Sequence, residues 1–280
     1  MKVIESCAEC LYDKVVHLTD NEEYLAEVRS ILANRADDDT APYLIYQFAK
    51  AYERRCGKAS PYKEIKKKFN DLVLSMEKSL RQQIEGSDDP LTSALMFARI
   101  GNYIDFGAMK NVDEKTFLSL FDKATFSADD QKVMESFIQQ CHSAKEFLLI
   151  TDNCGEIVLD KLFIEQLKKR FPDLNVTVMV RGDEVINDAT LEDAEYVGIN
   201  TLARVVSNGA PVAGTVLHML SPEGREALDK AEVILAKGQG NFESLCGQGK
   251  HVFYSFLCKC DVFTERFNVP KLTGLFVEER

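Results

Sequence analysis

The sequence lacks an apolar run long enough to cross a membrane. Spanning a bilayer takes about 20 consecutive apolar residues, and no stretch of this 280-residue chain approaches that length. The opening residues 1–6 also lack the apolar core of a secretory signal peptide. We therefore expect a cytoplasmic protein.

Positive charge is in the minority. The chain has 34 lysine and arginine residues against 45 aspartate and glutamate residues, for a formal net charge of −11. A non-specific electrostatic grip on nucleic acid or on an anionic membrane would work against that field. We therefore expect a small polar ligand as the partner, with neither nucleic acid nor membrane, and the composition leaves the oligomeric state open.

Motifs for nucleotide binding and for triad hydrolysis are missing or incomplete. Gly238 and Gly240 form an isolated pair, which is too little for a dinucleotide-binding fingerprint. A run that resembles a P-loop has His251 after Lys250, where the motif requires Ser or Thr. The four histidines lie in no acid–base arrangement, so the sequence does not support a Ser–His–Asp triad.

The eight cysteines do not indicate a disulfide scaffold in a chain of this length, and we expect mostly thiols. The pairs Cys7/Cys10 and Cys258/Cys260 leave a metal site, a redox pair or a structural role open; the structural role is the default because the spacing is not a common one for zinc. Cys154 is interpreted as a small buried side chain, with a soft metal ligand as the alternative.

The pattern of apolar residues changes near residue 145. Before it, helical spacing predicts helices over residues 20–34, 43–55, 62–83, 91–100 and 114–122. After it, short β-rich runs recur at residues 147–151, 176–180, 204–207, 233–236 and 252–257. The sequence therefore predicts an all-helical domain over residues 1–144 and a Rossmann-like three-layer α/β/α domain with a mainly parallel sheet over residues 145–280, which binds metal and phosphate.

Polar residues follow every one of these predicted strands. In chain order they are Asp152 and Asn153, Arg181 with Asn187 and Asp188, Asn208 and Gly209, Lys237 and Gly238, and Cys258 to Cys260. Because the carboxyl ends of parallel strands meet at one edge of a sheet, we expect these side chains to converge on one cleft.

The side chains in that cleft suggest chemistry at a metal and an anion. Asp152, Asn153 and Asp188 carry the hard oxygen donors that suit Mg²⁺ or Mn²⁺. Such a metal neutralises phosphoryl charge and lowers the pKa of a bound water. Lys237 would add a point charge aimed at a phosphate, and the amides of Gly155 and Glu156 would add donors at a helix start. The carboxylate of Glu156 is either a first-turn acid favoured by the helix dipole, or a group that supports the metal ligands or binds substrate.

These stretches together resemble a known family. Residues 152–162 (DNCGEIVLDKL), 180–194, 208–215 and 236–243 (AKGQGNFE) are similar to the ARMT-like metal-binding domain of the damage-control phosphatases, formerly a domain of unknown function. Residues 7–10 (CAEC), 61–63 (PYK) and 101–107 (GNYIDFG) resemble the helical half of its cysteine-containing microbial subfamily.

The resemblance implies a phosphatase that depends on a divalent metal (Mn²⁺, Co²⁺, Ni²⁺ or Mg²⁺) and hydrolyses phosphomonoesters of small metabolites, including sugar phosphates and damaged phosphometabolites. It implies that Asp152, Asn153 and Asp188 bind the metal and that Lys237 contacts the phosphate. The substrate-binding positions that it implies, besides Lys237, are Asn102, Asp105, Gly155, Glu156, Asn208 and Asn241.

Two other functions stay open at this point. A non-catalytic sensor of a metal or a metabolite would use the same cleft without turnover. A carboxyl methyltransferase that uses S-adenosylmethionine would need a nucleoside pocket, and the missing glycine-rich turn after the first strand argues against it.

Overall fold

Helices occupy the first half of the chain in the computed structural model, which describes residues 1–57, 62–104 and 125–280. Within those ranges the first half contains α1 (Glu5–Val16), α2 (Glu22–Ala33), α3 (Ala41–Cys56), α4 (Lys63–Glu85), α5 (Pro90–Gly101) and α6 (Ala128–Ser143), with a short 3-10 turn at Asn102–Ile104. Four predicted helices are confirmed as α2 to α5, whereas α1 and α6 were not predicted. The helix predicted over residues 114–122, like Asp105, lies outside the described residues.

A six-stranded sheet follows, which confirms the predicted α/β fold class. Its strands are β1 (Glu146–Ile150), β2 (Asn175–Val180), β3 (Arg204–Ser207), β4 (Val233–Lys237), β5 (Val252–Leu257) and β6 (Gly274–Glu279). Their order across the sheet is β3-β2-β1-β4-β5-β6. The first five strands are parallel, as predicted, and the unpredicted β6 pairs antiparallel with β5 at one edge.

Helices cover both faces of the sheet because its strands alternate side chains between two cores. Phe147, Leu149 and Leu235 belong to one core, and their neighbours Leu148 and Ile234 belong to the other. The helices of this half are α7 (Glu156–Arg170), α8 (Leu191–Val197), α9 (Pro222–Lys230), α10 (Gln239–Leu245) and α11 (Asp261–Phe267). The described residues thus form the three layers of an α/β/α arrangement.

The helical half contributes to two separate cores. Buried residues of α4, α5 and α6 belong to the same core as α7 and the first face of the sheet. In contrast, α1, α2 and α3 pack around a core of their own, which includes Val28, Leu44 and Phe48. The change of secondary structure falls near residue 145, yet a buried core crosses it, and the domain division at residue 144 stays a prediction.

The topology places a crevice at the ends of β1 and β4. From β1 the chain moves outward to β2 and β3, and from β4 it moves outward to β5 in the opposite direction. Ligands of open α/β sheets bind outside the carboxyl ends of the strands at such a switch point. Within the described residues, no helix combines the length and apolar character needed to span a bilayer.

Candidate active site

Backbone pairing brings Asp152, Asn153 and Asp188 together at this switch point. The loop after β2 folds back so that Asp188 forms an antiparallel bridge with Asn153. The amide of Ala189 donates to the carbonyl of Asp152 at 2.8 Å, and the amide of Cys154 donates to the carbonyl of Asn187 at 2.8 Å. All three side chains are buried. Residues from two loops that are distant in the sequence therefore share one site, as the strand pattern predicts.

Arg181 joins the two aspartates from the end of β2. Its Nε donates to Asp188 Oδ2 at 2.6 Å, and one terminal nitrogen donates to Asp152 Oδ1 at 3.3 Å. The other terminal nitrogen donates to the carbonyl of Gly214 at 3.1 Å and to Asn241 Oδ1 at 3.0 Å. The guanidinium is 1% exposed. This buried cation therefore fixes the relative position of the two carboxylates.

Two amide side chains bridge the carboxylates of Asp152 and Glu156. Asn102 Nδ2 donates to Asp152 Oδ2 at 2.8 Å and to Glu156 Oε2 at 2.9 Å. Asn153 Nδ2 donates to the same two oxygens at 2.7 and 3.2 Å. Because both hydrogens of each amide nitrogen are used, the amide oxygen of Asn153 is directed away from the two carboxylates. The result is an amide–carboxylate ring of four side chains, to which the helical half contributes Asn102.

Lys237 is placed differently from the prediction that it points at a phosphate. The side chain is fully buried. Its ammonium group donates to Glu156 Oε1 at 2.7 Å, to Asp160 Oδ1 at 2.7 Å and to the carbonyl of Ala98 at 3.0 Å. A lysine has three hydrogens to donate, so all of them are used within the protein. Direct contact with a phosphate would require Lys237 to give up one of these partners.

The buried ionisable groups carry more negative than positive charge. Asp152, Glu156, Asp160 and Asp188 are buried acids, and Arg181 and Lys237 are buried bases. With all six ionised, four negative and two positive charges leave a formal charge of −2. Burial, with the nearby carboxylates of Asp188 and Glu156, raises the pKa of Asp152, whereas Arg181 acts to lower it. A divalent cation would balance this charge.

The donor set fits a hard divalent cation. Two carboxylates and an oriented amide oxygen are ligands of the kind that Mg²⁺ and Mn²⁺ prefer. Gly238 keeps space beside them, because a Cβ there would lie 2.1 Å from Asp152 Oδ2. Among the described residues, no group of three or more acidic, cysteine or histidine side chains is arranged to hold a metal. Asp152, Asn153 and Asp188 differ from such a group because one of the three donors is an amide.

The other predicted substrate-binding residues lie around the site with their polar groups engaged. The amide of Gly155 donates to Asn70 Oδ1 of α4 at 2.7 Å. Asn208 accepts from the amide of Ala210 at 3.0 Å and donates to the carbonyl of Gly214 at 3.3 Å.

Asn241 is likewise fully engaged. It donates to the carbonyls of Thr151 at 3.1 Å and Lys237 at 2.6 Å, and its oxygen accepts from Arg181 and Thr215. In this structure Asn208, Asn241 and the Gly155 amide hold the loops that form the site.

Two residues of the site, Asp160 and Asn70, were not predicted from the sequence. Arg181, which directly follows β2, was expected in the cleft but was given no role there. Asp160 lies one helical turn after Glu156, which places both on the same side of α7. Asn70 lies in the middle of α4, 85 positions from Gly155, and the sequence carries no signal for that contact.

The cysteines are thiols. All eight lie in the described part of the chain and all are free there. Burial raises the pKa of Cys154, and its Sγ lies 3.8 Å from the carbonyl oxygen of Asp188. A buried, protonated thiol packs as a small side chain at this position.

Known proteins resemble the chain over nearly its whole length. The family model described as "Damage-control phosphatase ARMT1-like domain" matches residues 2–273. A protein of Archaeoglobus fulgidus called "Damage-control phosphatase" is 30% identical over 276 residues, which is 93% of each chain. A damage-control phosphatase of Pyrococcus horikoshii is 30% identical over 287 residues, covering 97% of this chain and 96% of its own.

A solved structure shares the fold. The crystal structure of a DUF89 family protein from Pyrococcus horikoshii matches all of both chains with a TM-score of 0.82 at 25% sequence identity. The architecture described above is therefore that of the DUF89 proteins.

Proposed function

The chain belongs to the damage-control phosphatase ARMT1-like family, and from that premise we propose that it hydrolyses phosphomonoesters of small metabolites, such as sugar phosphates and damaged phosphometabolites, with the help of a divalent metal. The observation that carries the proposal is the excess of buried acids over buried bases at the switch point, where Asp152, Asn153 and Asp188 lie together. Such a site would repel a phosphate dianion unless a bound cation reversed the sign of the local electrostatic field.

Asp152, Asn153 and Asp188 would hold the metal. When bound, Mn²⁺, Co²⁺, Ni²⁺ or Mg²⁺ supplies a Lewis acid for the phosphoryl oxygens and lowers the pKa of a water. Arg181 keeps the two aspartates at a fixed separation through its bonds of 2.6 and 3.3 Å. Its positive charge would also favour negative charge that develops on a phosphoryl group bound at this site.

We propose that the lysine in direct contact with the phosphate is the one that follows β5, and not Lys237 at the end of β4. Lys259 follows β5 at the same edge of the sheet and is half-buried. Its charge acts to lower the pKa of Asp152, less strongly than that of Arg181 does. Its backbone amide donates to Gln239 Oε1 at 3.0 Å, which ties its loop to α10. We assign the direct phosphate contact to Lys259 and an indirect role to Lys237.

The test is phosphate release from a panel of sugar phosphates and nucleotides. Metal-stripped protein is resupplied separately with Mg²⁺, Mn²⁺, Co²⁺ and Ni²⁺. We expect metal-dependent release that is lost in Asp188→Ala and in the isosteric Asp188→Asn. Asp229→Asn is the matched control, because Asp229 is an exposed acid paired with Lys250 at 2.7 Å, and this variant should keep full turnover.

Other outcomes would point to other functions. Saturable binding of a metal or a metabolite without phosphate release under any of the four metals would support a sensor. Methyl transfer from S-adenosylmethionine to a carboxylate would support the methyltransferase. Full activity of Asp188→Asn would contradict the metal assignment.

A further inference from the structure

We infer that Lys237 and Glu156 are positioning residues that fix the orientation of the Asn153 side-chain amide, so that its oxygen is presented to the metal. This inference rests on the proposed function, because it concerns the ligand that Asn153 supplies. It gives Lys237 a role that needs no contact with substrate. The same pair also holds Asn102, which anchors the end of α5 to the site.

Glu156 is connected on both sides. Its Oε1 accepts from the Lys237 ammonium at 2.7 Å, and its Oε2 accepts from Asn102 and Asn153 at 2.9 and 3.2 Å. Since Lys237 holds one carboxylate oxygen, the other is directed at the two amide nitrogens. Both side chains of the pair are fully buried, so no water competes for these bonds.

The two ends of an asparagine amide are nearly equal in size, so shape alone does not select which end faces the metal. At Asn153 the selection is electrostatic. Two carboxylate oxygens, from Asp152 and Glu156, accept from Nδ2. If the amide turned over, its oxygen would face both carboxylates, and the nitrogen, a donor only, would face the cation. The accepting oxygen that Glu156 presents to Nδ2 is therefore what keeps the Asn153 oxygen available as a ligand.

Asp160 holds the Lys237 ammonium in place, and Lys237 in turn holds Glu156. Asp160 Oδ1 accepts from Lys237 at 2.7 Å. Its Oδ2 is buried without a hydrogen-bond partner among the described residues. A buried carboxylate with an unsatisfied oxygen is costly, and the contact that offsets this cost is the one with Lys237. This pairing holds the ammonium group between α7 and the end of α5, where it reaches Ala98 and Glu156 but not the cleft.

The decisive variant is Glu156→Gln, which keeps the shape and removes the charge. One end of the new amide is an NH₂ group, and it must face either the Lys237 ammonium or the two asparagine nitrogens, so a donor meets a donor in both orientations. We expect the Kd for Mn²⁺, measured by calorimetry on metal-stripped protein without substrate, to rise by about 10–100-fold. Asp229→Asn changes the net charge by the same amount at an exposed ion pair with Lys250, and its Kd should change by less than about threefold.

The double variant Glu156→Gln/Lys237→Met separates this role from a phosphate contact. Without the ammonium, the new amide oxygen can face the asparagine nitrogens and its NH₂ group can face Asp160. We expect it to recover most of the Mn²⁺ affinity and, once loaded with Mn²⁺, to bind inorganic phosphate as the wild type does. It also keeps the test available if the single variant does not fold, as judged by circular dichroism.

Each contrary result has one meaning. Unchanged Mn²⁺ binding in Glu156→Gln, when the wild type binds Mn²⁺ through Asp188, would overturn the inference and leave the proposed function standing. Equal losses in Glu156→Gln and Asp229→Asn would also overturn it, because net charge alone would then account for them. If the double variant lost phosphate binding but kept Mn²⁺ binding, Lys237 would be assigned a direct contact with the phosphate. Absence of binding of all four metals in the wild type would refute both proposals.

Discussion

The substitution Gly238→Ala, which adds a single carbon, should displace Asp152 and thereby disrupt the site. Its φ of +80° and ψ of 153° lie in a region that is open essentially to glycine alone. A Cβ at this position would lie 2.1 Å from Oδ2 and 2.2 Å from Cγ of Asp152. Asp152 would have to move, and it could not do so without disturbing its bonds to Asn102, Asn153 and Arg181.

The magnitude has two parts that can be measured separately. Backbone strain should cost about 1–3 kcal/mol, and the loss of at least one hydrogen bond to a charged group about 1.5–3 kcal/mol. We therefore expect Gly238→Ala to lower the free energy of unfolding by about 3–5 kcal/mol. Gly57→Ala is the matched control, because Gly57 has a φ of 90° and a ψ of −179°, and no atom of the described residues beyond its chain neighbours lies within 4 Å of an added Cβ. Gly57→Ala should lower the free energy of unfolding only by the cost of backbone strain.

Urea unfolding gives both free energies, and calorimetry gives the Kd for Mn²⁺. We expect Gly238→Ala to weaken Mn²⁺ binding at least tenfold, the lower end of what a displaced ligand shell costs, and Gly57→Ala to leave it unchanged. Equal destabilisation of the two variants, with wild-type Mn²⁺ binding in both, would refute the reasoning that Asp152 is held against Gly238.

Three further predictions concern the surroundings of the site. Ile186→Gly should stabilise the fold by about 0.5–1 kcal/mol in urea unfolding, because Ile186 has a φ of 45° that disfavours a branched side chain; a loss of stability would contradict the left-handed turn. Lys259→Met should raise KM for a phosphate ester severalfold with unchanged Mn²⁺ binding, whereas an unchanged KM would remove Lys259 from the phosphate. Burial acts to raise the pKa of Asp193, but the hydrogen bond and positive charge of Lys66, together with two hydrogen bonds from Thr190, outweigh it, and the pKa is lowered. Asp193 therefore stabilises the fold above its unfolded pKa of about 3.9, and this stabilisation is lost as the pH falls through the lower folded pKa. Asp193→Asn should make the free energy of unfolding depend less on pH on the acid side. An unchanged pH dependence would contradict the pairing of Asp193 with Lys66.

Four of the parallel strands were predictable because they are short apolar runs inside the sheet, and β4 and β5 are buried throughout. The edge strand β3 was recognised from its β-branched pair Val205 and Val206, although only Val206 is buried. The edge strand β6 was not, since only Phe276 of its residues is buried and its charged end resembles a loop. An edge strand is buried less than a central one, so the hydrophobic signal that identifies strands is weak there.

The position of the site was predictable, but the directions of its side chains were not. The loops after the strands identified Asp152, Asn153 and Asp188, because strand topology alone brings them to one edge. For Lys237 the alternation along β4 carried a signal: Leu235 faces the core shared with α5 and α7, so a residue two positions later faces the same side. The partners on that side, Ala98 and Asp160, follow from helix packing, which the sequence pattern does not specify.

The division of the buried cores has a consequence for how this protein can be cut and recombined. Since α4 to α6 complete the core on one face of the sheet, a fragment that begins at residue 145 would lose one wall of that core and the Asn102 anchor with it. The helices α1 to α3 enclose their own core, but Tyr43 and Tyr46 of α3 also pack against Val212 and Val216 of the α/β half. A cut after α3 would therefore expose this smaller contact, whereas a cut at residue 145 would open the main core and remove Asn102 from the site.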